Sequence, residues 1–381
     1  MKAWLALLLA LPLAVSAEPF VPKDDAEIVQ RLPYRVNAVE RAQRAALARD
    51  PAQLPLALAT ARTALDRAHT HGDPRELGVA QAALAPWWAR ADAPSEAVLL
   101  RARVLQARHD FFGALADLHR LLARGDLAAD VRAQALLDAA AVHQLRAELP
   151  GARALCEQLQ PLAALPATAC LAELASLSGD AANAAQVLAR LNPGRSVMPW
   201  LTLMRAELAE RQGDEAAAPA LYRVALAGAD DVYTRAALAD WLLARGRAAE
   251  ALALLERSPD AEADGLLLRR VIALRQLGRA TPLVDTMRER LAAADRREPT
   301  KHAREQARFA LDVENQPREA LRLAQVNWAM QREPVDAVLL LRAALASGTA
   351  GDPARQDLAR FVRERRWQDV RLTALDRSLV P

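Results

Sequence analysis

Lysine is nearly missing from this 381-residue chain. It occurs only at positions 2, 23 and 301, so almost all of the 50 basic side chains are arginine. A Ser–Lys nucleophile pair therefore has almost no lysine to draw on. Isoleucine occurs twice, at Ile28 and Ile272, glycine 14 times, and aromatic residues make up 4% of the chain, which leaves few strand formers. With only two cysteines, a disulfide-dense miniprotein is excluded. No apolar run reaches the 18 or more residues of a membrane-spanning helix. Phosphate-loop Gly-Lys, GxGxxG, HExxH, GxSxG and CxxC are all absent, which removes the familiar nucleotide, zinc-protease, hydrolase and dithiol signatures.

Alanine dominates what is present, with 89 residues, and 52% of the chain is hydrophobic against 25% charged. That mixture of strong helix formers predicts an all-α protein able to bury a substantial core. The net charge is only +3, with a mild basic bias after residue 268. Arginines paired to Asp and Glu on helix surfaces account for this balance, and no basic stripe marks a nucleic-acid partner.

The N-terminus has the layout of a secretory signal peptide over residues 1–17. Lys2 precedes an apolar run from Trp4 to Val15, and Val15-Ser16-Ala17 offers a small-residue cleavage site before Glu18. No cysteine follows for lipid attachment. The expectation is an exported, soluble bacterial protein of the periplasm. Residues 18–37, with Pro19, Pro22 and Pro33, read as an extended leader. In an oxidising compartment Cys156 and Cys170 could form a disulfide, and two buried free thiols are the alternative.

Short turn signals recur at His71-Gly72-Asp73, His109, Ala147, Gly179, Gly213, Gly246, Gly278 and Asn315, at intervals of 32 to 38 residues. Five residues later Ala stands in six units: Ala114, Ala152, Ala184, Ala218, Ala251 and Ala320. A larger residue often stands nine residues after the turn, as at Leu118, Leu188, Tyr222 and Leu255. Two antiparallel helices need a small or left-handed residue at the reversal and a small one at closest approach. Each pair leaves an apolar face that only a neighbouring pair can cover, so terminal pairs should fray first.

The unit from Trp200 to Ala229, with Gly213 at the turn and then Ala218, Tyr222 and Ala225, resembles the tetratricopeptide repeat (TPR) family. The next unit is similar through Leu238, Ala239, Leu242, Gly246, Ala251, Leu255 and Ser258, while in the Gly278 unit Leu283 departs from the small position. The resemblance implies a right-handed superhelical solenoid of antiparallel pairs over residues 38–333, closed by a C-terminal helical pair or cap at 334–381. It also implies a concave groove lined by first helices, placing Trp200, Glu207, Arg211, Tyr233, Asp240, Arg275, His302 and Phe309 as candidate contacts for a protein or peptide.

Catalytic, cofactor and metal residues are not expected. His69 and His71 read as solvated helix-terminal residues. The function implied is a non-enzymatic scaffold, with an adaptor subunit of a membrane-embedded envelope export, secretion or assembly machine as the alternative. A cell-wall hydrolase of the superhelical lytic transglycosylase type stands further off, since no Glu-Ser dipeptide marks an acid; such a role would need a Glu whose pKa burial has raised.

Overall fold

The computed structural model describes residues 24, 37–191 and 198–379. The signal-like segment lies outside them, and of the extended leader only Asp24 and Asn37 are included. The described residues belong almost entirely to one contact unit, Val36–Pro381. They are all-helical, with no strand among them.

A first helix, α1 (Ala38–Arg49), is followed by nine antiparallel pairs and a few short elements. The pairs are α2 (Leu54–His71) with α3 (Arg75–Ala83), α5 (Ser95–Ala107) with α6 (Phe111–Leu122), and α7 (Ala129–Leu145) with α8 (Leu149–Leu159). Next come α9 (Ala164–Ser176) with α10 (Ala181–Arg190), α11 (Pro199–Gln212) with α12 (Ala217–Gly228), and α13 (Val232–Ala244) with α14 (Ala248–Glu256). The last three are α15 (Asp264–Gln276) with α16 (Leu283–Arg297), α17 (Ala303–Asp312) with α18 (Pro317–Met330), and α19 (Pro334–Ala346) with α20 (Asp352–Arg365). The short helices α4 (Ala85–Trp88) and α21 (Val370–Leu375) lie outside the pairing.

Every one of the eight turn positions takes a left-handed backbone. The φ values are 61° at Gly72, 57° at His109, 56° at Ala147, 91° at Gly179, 75° at Gly213, 69° at Gly246, 67° at Gly278 and 53° at Asn315. This conformation lets the next amide turn back and close on a carbonyl of the last helical turn. Asp110, Glu148, Asp214, Arg247 and Arg279 donate in this way to Leu105, His143, Ala209, Leu242 and Leu274, at 2.8–3.0 Å. The alanines five residues past the turn are each at most 1% exposed, and so are Leu118, Leu188, Tyr222 and Leu255. In the Ala147 unit the large position is Cys156, which is joined by a disulfide to Cys170 of the next pair, Cα to Cα 6.1 Å. Closing that 14-residue separation contributes about 3 kcal/mol by restricting the unfolded chain.

The core is a succession of local cores, each shared by neighbouring pairs, as the repeat argument requires. A second kind of contact departs from a simple stack. The chain coils so that later helices lie against the turn edge of the first five pairs. His71 Nδ1 meets Asp260 Oδ2 at 3.0 Å. The Arg332 amide donates to the Leu145 carbonyl at 2.7 Å. Ala147 and Leu177 share a buried cluster with Ala337, Leu341, Leu358, Phe361 and Trp367. The C-terminal helical pair thus packs on the array's own early turns as well as on its neighbour.

The glycines record this difference. A Cβ at Gly213 would meet Val370 at 3.1 Å, whereas at Gly246 nothing lies within 4 Å. Gly246→Ala should cost about 1 kcal/mol, from the left-handed backbone alone. Gly213→Ala should cost more, and Val370→Ala in the same chain should recover the excess. Urea unfolding of the three variants measures this; equal costs at both glycines would contradict the packing of α21 on that turn.

Candidate partner-binding face

The first helices of most successive pairs lie side by side while second helices do not, which makes the first helices the inner layer; α11 and α13 meet through side chains. On this layer lie most of the side chains expected to contact a partner. Glu207 of α11 accepts a hydrogen bond from the Tyr233 hydroxyl of α13 at 2.8 Å. Tyr233 is 46% exposed and Trp200, at the start of α11, 43%. Asp240, one helical turn before the end of α13, is held by two guanidiniums, Arg269 of α15 at 2.6 Å and Arg308 of α17 at 2.8 Å. Three consecutive first helices are thereby tied together across the inner face.

Electrostatics separate these carboxylates. Burial pushes the Glu207 carboxyl up to about 7, with the nearby Glu173 charge adding to it and the Tyr233 hydrogen bond only partly offsetting it. For Asp240 burial acts in the same direction, but Arg269 and Arg308 outweigh it and hold the carboxyl below its ordinary range. The negative charge of Glu207, then burial, drives the Tyr233 phenol well above its usual value. Tyr233 therefore keeps an exposed ring while its hydroxyl is held by a carboxylate.

Charged side chains of α17 and of the start of α19 act on the same tyrosine. Arg304 of α17 donates to both carboxylate oxygens of Asp336, at 2.6 and 2.8 Å, and also to Glu333. Asn327 reaches Asp336 at 2.7 Å, and the Gln331 amide lies 3.1 Å from His109 Nδ1 in the α5–α6 turn. The Arg304 and Glu333 charges are felt at Tyr233. Sequence spacing gave no sign of this group: Arg304, Asn327 and Asp336 meet where α17, α18 and α19 pack in succession, and the His109 contact adds a distant pair.

Other expected contacts have different roles. Arg211 is buried, donating to Glu173 at 3.0 Å and to the Ser176 hydroxyl at 2.8 Å. Phe309 is 4% exposed and belongs to the core shared by α13, α15 and α17. Both are corrected from groove contacts to packing residues: Arg211 is covered by the preceding first helix α9, and Phe309 by the preceding helices of its core. Arg275 is exposed at the end of α15, and His302 is half-buried where α17 begins. Of the eight expected contacts, only Glu207 and Tyr233 bond to each other.

A carboxyl that titrates near 7 in the native chain and near 4.5 when unfolded binds more protons in the native state between those values. Its contribution therefore makes stability fall as pH rises from about 4.5 to 7. Glu207→Gln should gain about 1–3 kcal/mol over the parent chain at pH 8 relative to the difference at pH 4.5. Urea unfolding at the two pH values is the check, and a difference independent of pH would contradict the shift.

No family model and no curated protein matches the chain. Among solved structures, it is similar to the APC/C hetero-tetramer Cut9–Hcn1, with 16% identity over 77% of this chain and a TM-score of 0.38. It spans 63% of that chain's length. It is also similar to the TPR domain of P58(IPK), with 14% identity, 81% of this chain and 93% of that one covered, and a TM-score of 0.23. These low likenesses carry no weight beyond the chain's own features. By its period, its left-handed turns and its small and large buried positions, the array is a solenoid of antiparallel helical pairs.

Proposed function

We propose that the chain is a non-enzymatic scaffold of the bacterial periplasm that binds another protein or an extended peptide on the inner layer of its array. The signal-like segment at 1–17 and the pairing of Cys156 with Cys170 support an exported, oxidising setting. The observation that carries the reading is the surface of α11 and α13. There Trp200 and Tyr233 stay exposed beside charges, Asp240 among them, that are already paired. Tyr and Trp are the residues most enriched at binding hot spots, and charges already matched need no partner to neutralise them. The same matching of arginines to carboxylates favours a protein surface over a nucleic-acid one. An adaptor within a membrane-embedded envelope complex is one setting for this face.

A photo-crosslinker placed in living cells at 200, at 233 and at Arg322 on α18 tests the reading. One dominant protein captured from the first two positions and not from the third is expected. Capture that is equal from all three, or absent, would contradict it.

Glu207 favours a second reading. Burial gives it the raised pKa that a general acid for cell-wall hydrolysis would need. Digestion of purified sacculi by the parent chain, lost in Glu207→Gln, would establish that reading and displace the scaffold. Intact sacculi with the parent chain would dismiss it.

A further inference from the structure

The inner face does not absorb one cluster of side chains. His119 of α6 and His143 of α7 belong to successive pairs, and their Nε2 atoms stand 3.5 Å apart. The ring centroids are farther apart, at 5.6 Å, so the two nitrogens face each other across the gap. Behind His143 runs a chain of fixed contacts. Its Nδ1 lies 2.7 Å from Glu148 Oε2, and the other oxygen of Glu148 accepts from Arg146 Nε at 2.8 Å. The Arg146 guanidinium in turn lies 4.1 Å from the centroid of the Phe112 ring.

Glu148 decides which nitrogen of His143 is free. A carboxylate at Nδ1 keeps the proton there and leaves the lone pair on Nε2, the arrangement by which a carboxylate orients and strengthens a metal-binding histidine. His119 is exposed, and its ring can take the same tautomer. Imidazole nitrogens bind zinc at about 2.0–2.1 Å, so two of them 3.5 Å apart reach one ion with an N–metal–N angle of roughly 115–120°. Each ring need turn by only about 30° from its head-on position for its lone pair to meet that ion.

We propose that His119 and His143, oriented by Glu148, form a surface site for one divalent transition-metal ion of the kind that prefers imidazole, Cu²⁺ or Zn²⁺. No third His, Cys, Asp or Glu converges with them among the described residues, so water fills the remaining positions. Affinity across the first-row ions should then follow the usual order, with Cu²⁺ tightest. The ion would link α6 to α7 and so brace the junction between two repeats. That role is independent of the inner face and stands whichever reading of it holds.

The test is calorimetric titration of the full chain, free of any polyhistidine tag, with Cu²⁺ alone and with Zn²⁺ alone. Electron paramagnetic resonance of the copper form accompanies it. The expected result is one ion per chain, with two imidazole nitrogens coupled to the copper. His119→Gln should lower the affinity about tenfold or more and leave one coupled nitrogen, and Glu148→Gln should lower it about 10–100-fold with both nitrogens retained. Because His119 is exposed, its variant keeps the test decisive even where His143→Gln disturbs folding. No binding by the parent chain would overturn the proposal, as would affinity and spectrum unchanged in His119→Gln.

Discussion

A left-handed residue at the reversal within each helical pair is the constraint on which this architecture depends. An L-residue other than glycine loses roughly 1–2 kcal/mol in that conformation, and the chain accepts it at His109, Ala147 and Asn315. What it gains is a reversal tight enough to bring an alanine against the preceding helix five residues on. Ala114, Ala152 and Ala320 are fully buried in those same three units, so close helix packing offsets the backbone strain. The repeat is therefore a backbone geometry first and a sequence motif second, which explains why its residue signature is so degenerate.

The turns have a second use. On the first five pairs they form an edge on which later helices rest, and on the next two the glycines face open space. Local repeat physics would let each pair respond to its neighbours alone. Contacts such as Arg332 to Leu145 and Arg371 to Glu210 join residues far apart in sequence and give the array a cooperativity that a simple stack lacks. Along the first helices, Arg304 is matched to Asp336 of the next one and Arg308 to Asp240 two before it. Trp200 and Tyr233 are what remains open to a partner.

All eight turn positions could be read from the chain because glycine, or a short charged or polar break around His109, Ala147 and Asn315, marks them whatever the tertiary setting. The Leu283 unit was legible as a departure, and indeed Leu283 is only partly buried against the core there. The inner face was legible only in outline. Helical spacing put Glu207, Tyr233 and Asp240 on one layer, since they sit on first helices. Nothing local told Phe309, buried where α17 crosses its neighbours, from Trp200, left exposed at a helix start. Nor could spacing reveal Arg304 and Asp336, or the facing imidazoles of His119 and His143, because each pair is assembled from two helices whose relative rotation the sequence does not state.

The central claim is that the C-terminal helices are held on the turn edge of the early pairs. Hydrogen–deuterium exchange on the full chain carrying Trp367→Ala tests it most directly, since Trp367 lies in the buried cluster that joins the two regions. The account predicts faster exchange in α19–α21 together with the turns at Ala147, Gly179 and Gly213, while the turns at Gly246 and Gly278 stay as in the parent chain. Acceleration confined to α19–α21, with the early turns unaffected, would contradict it.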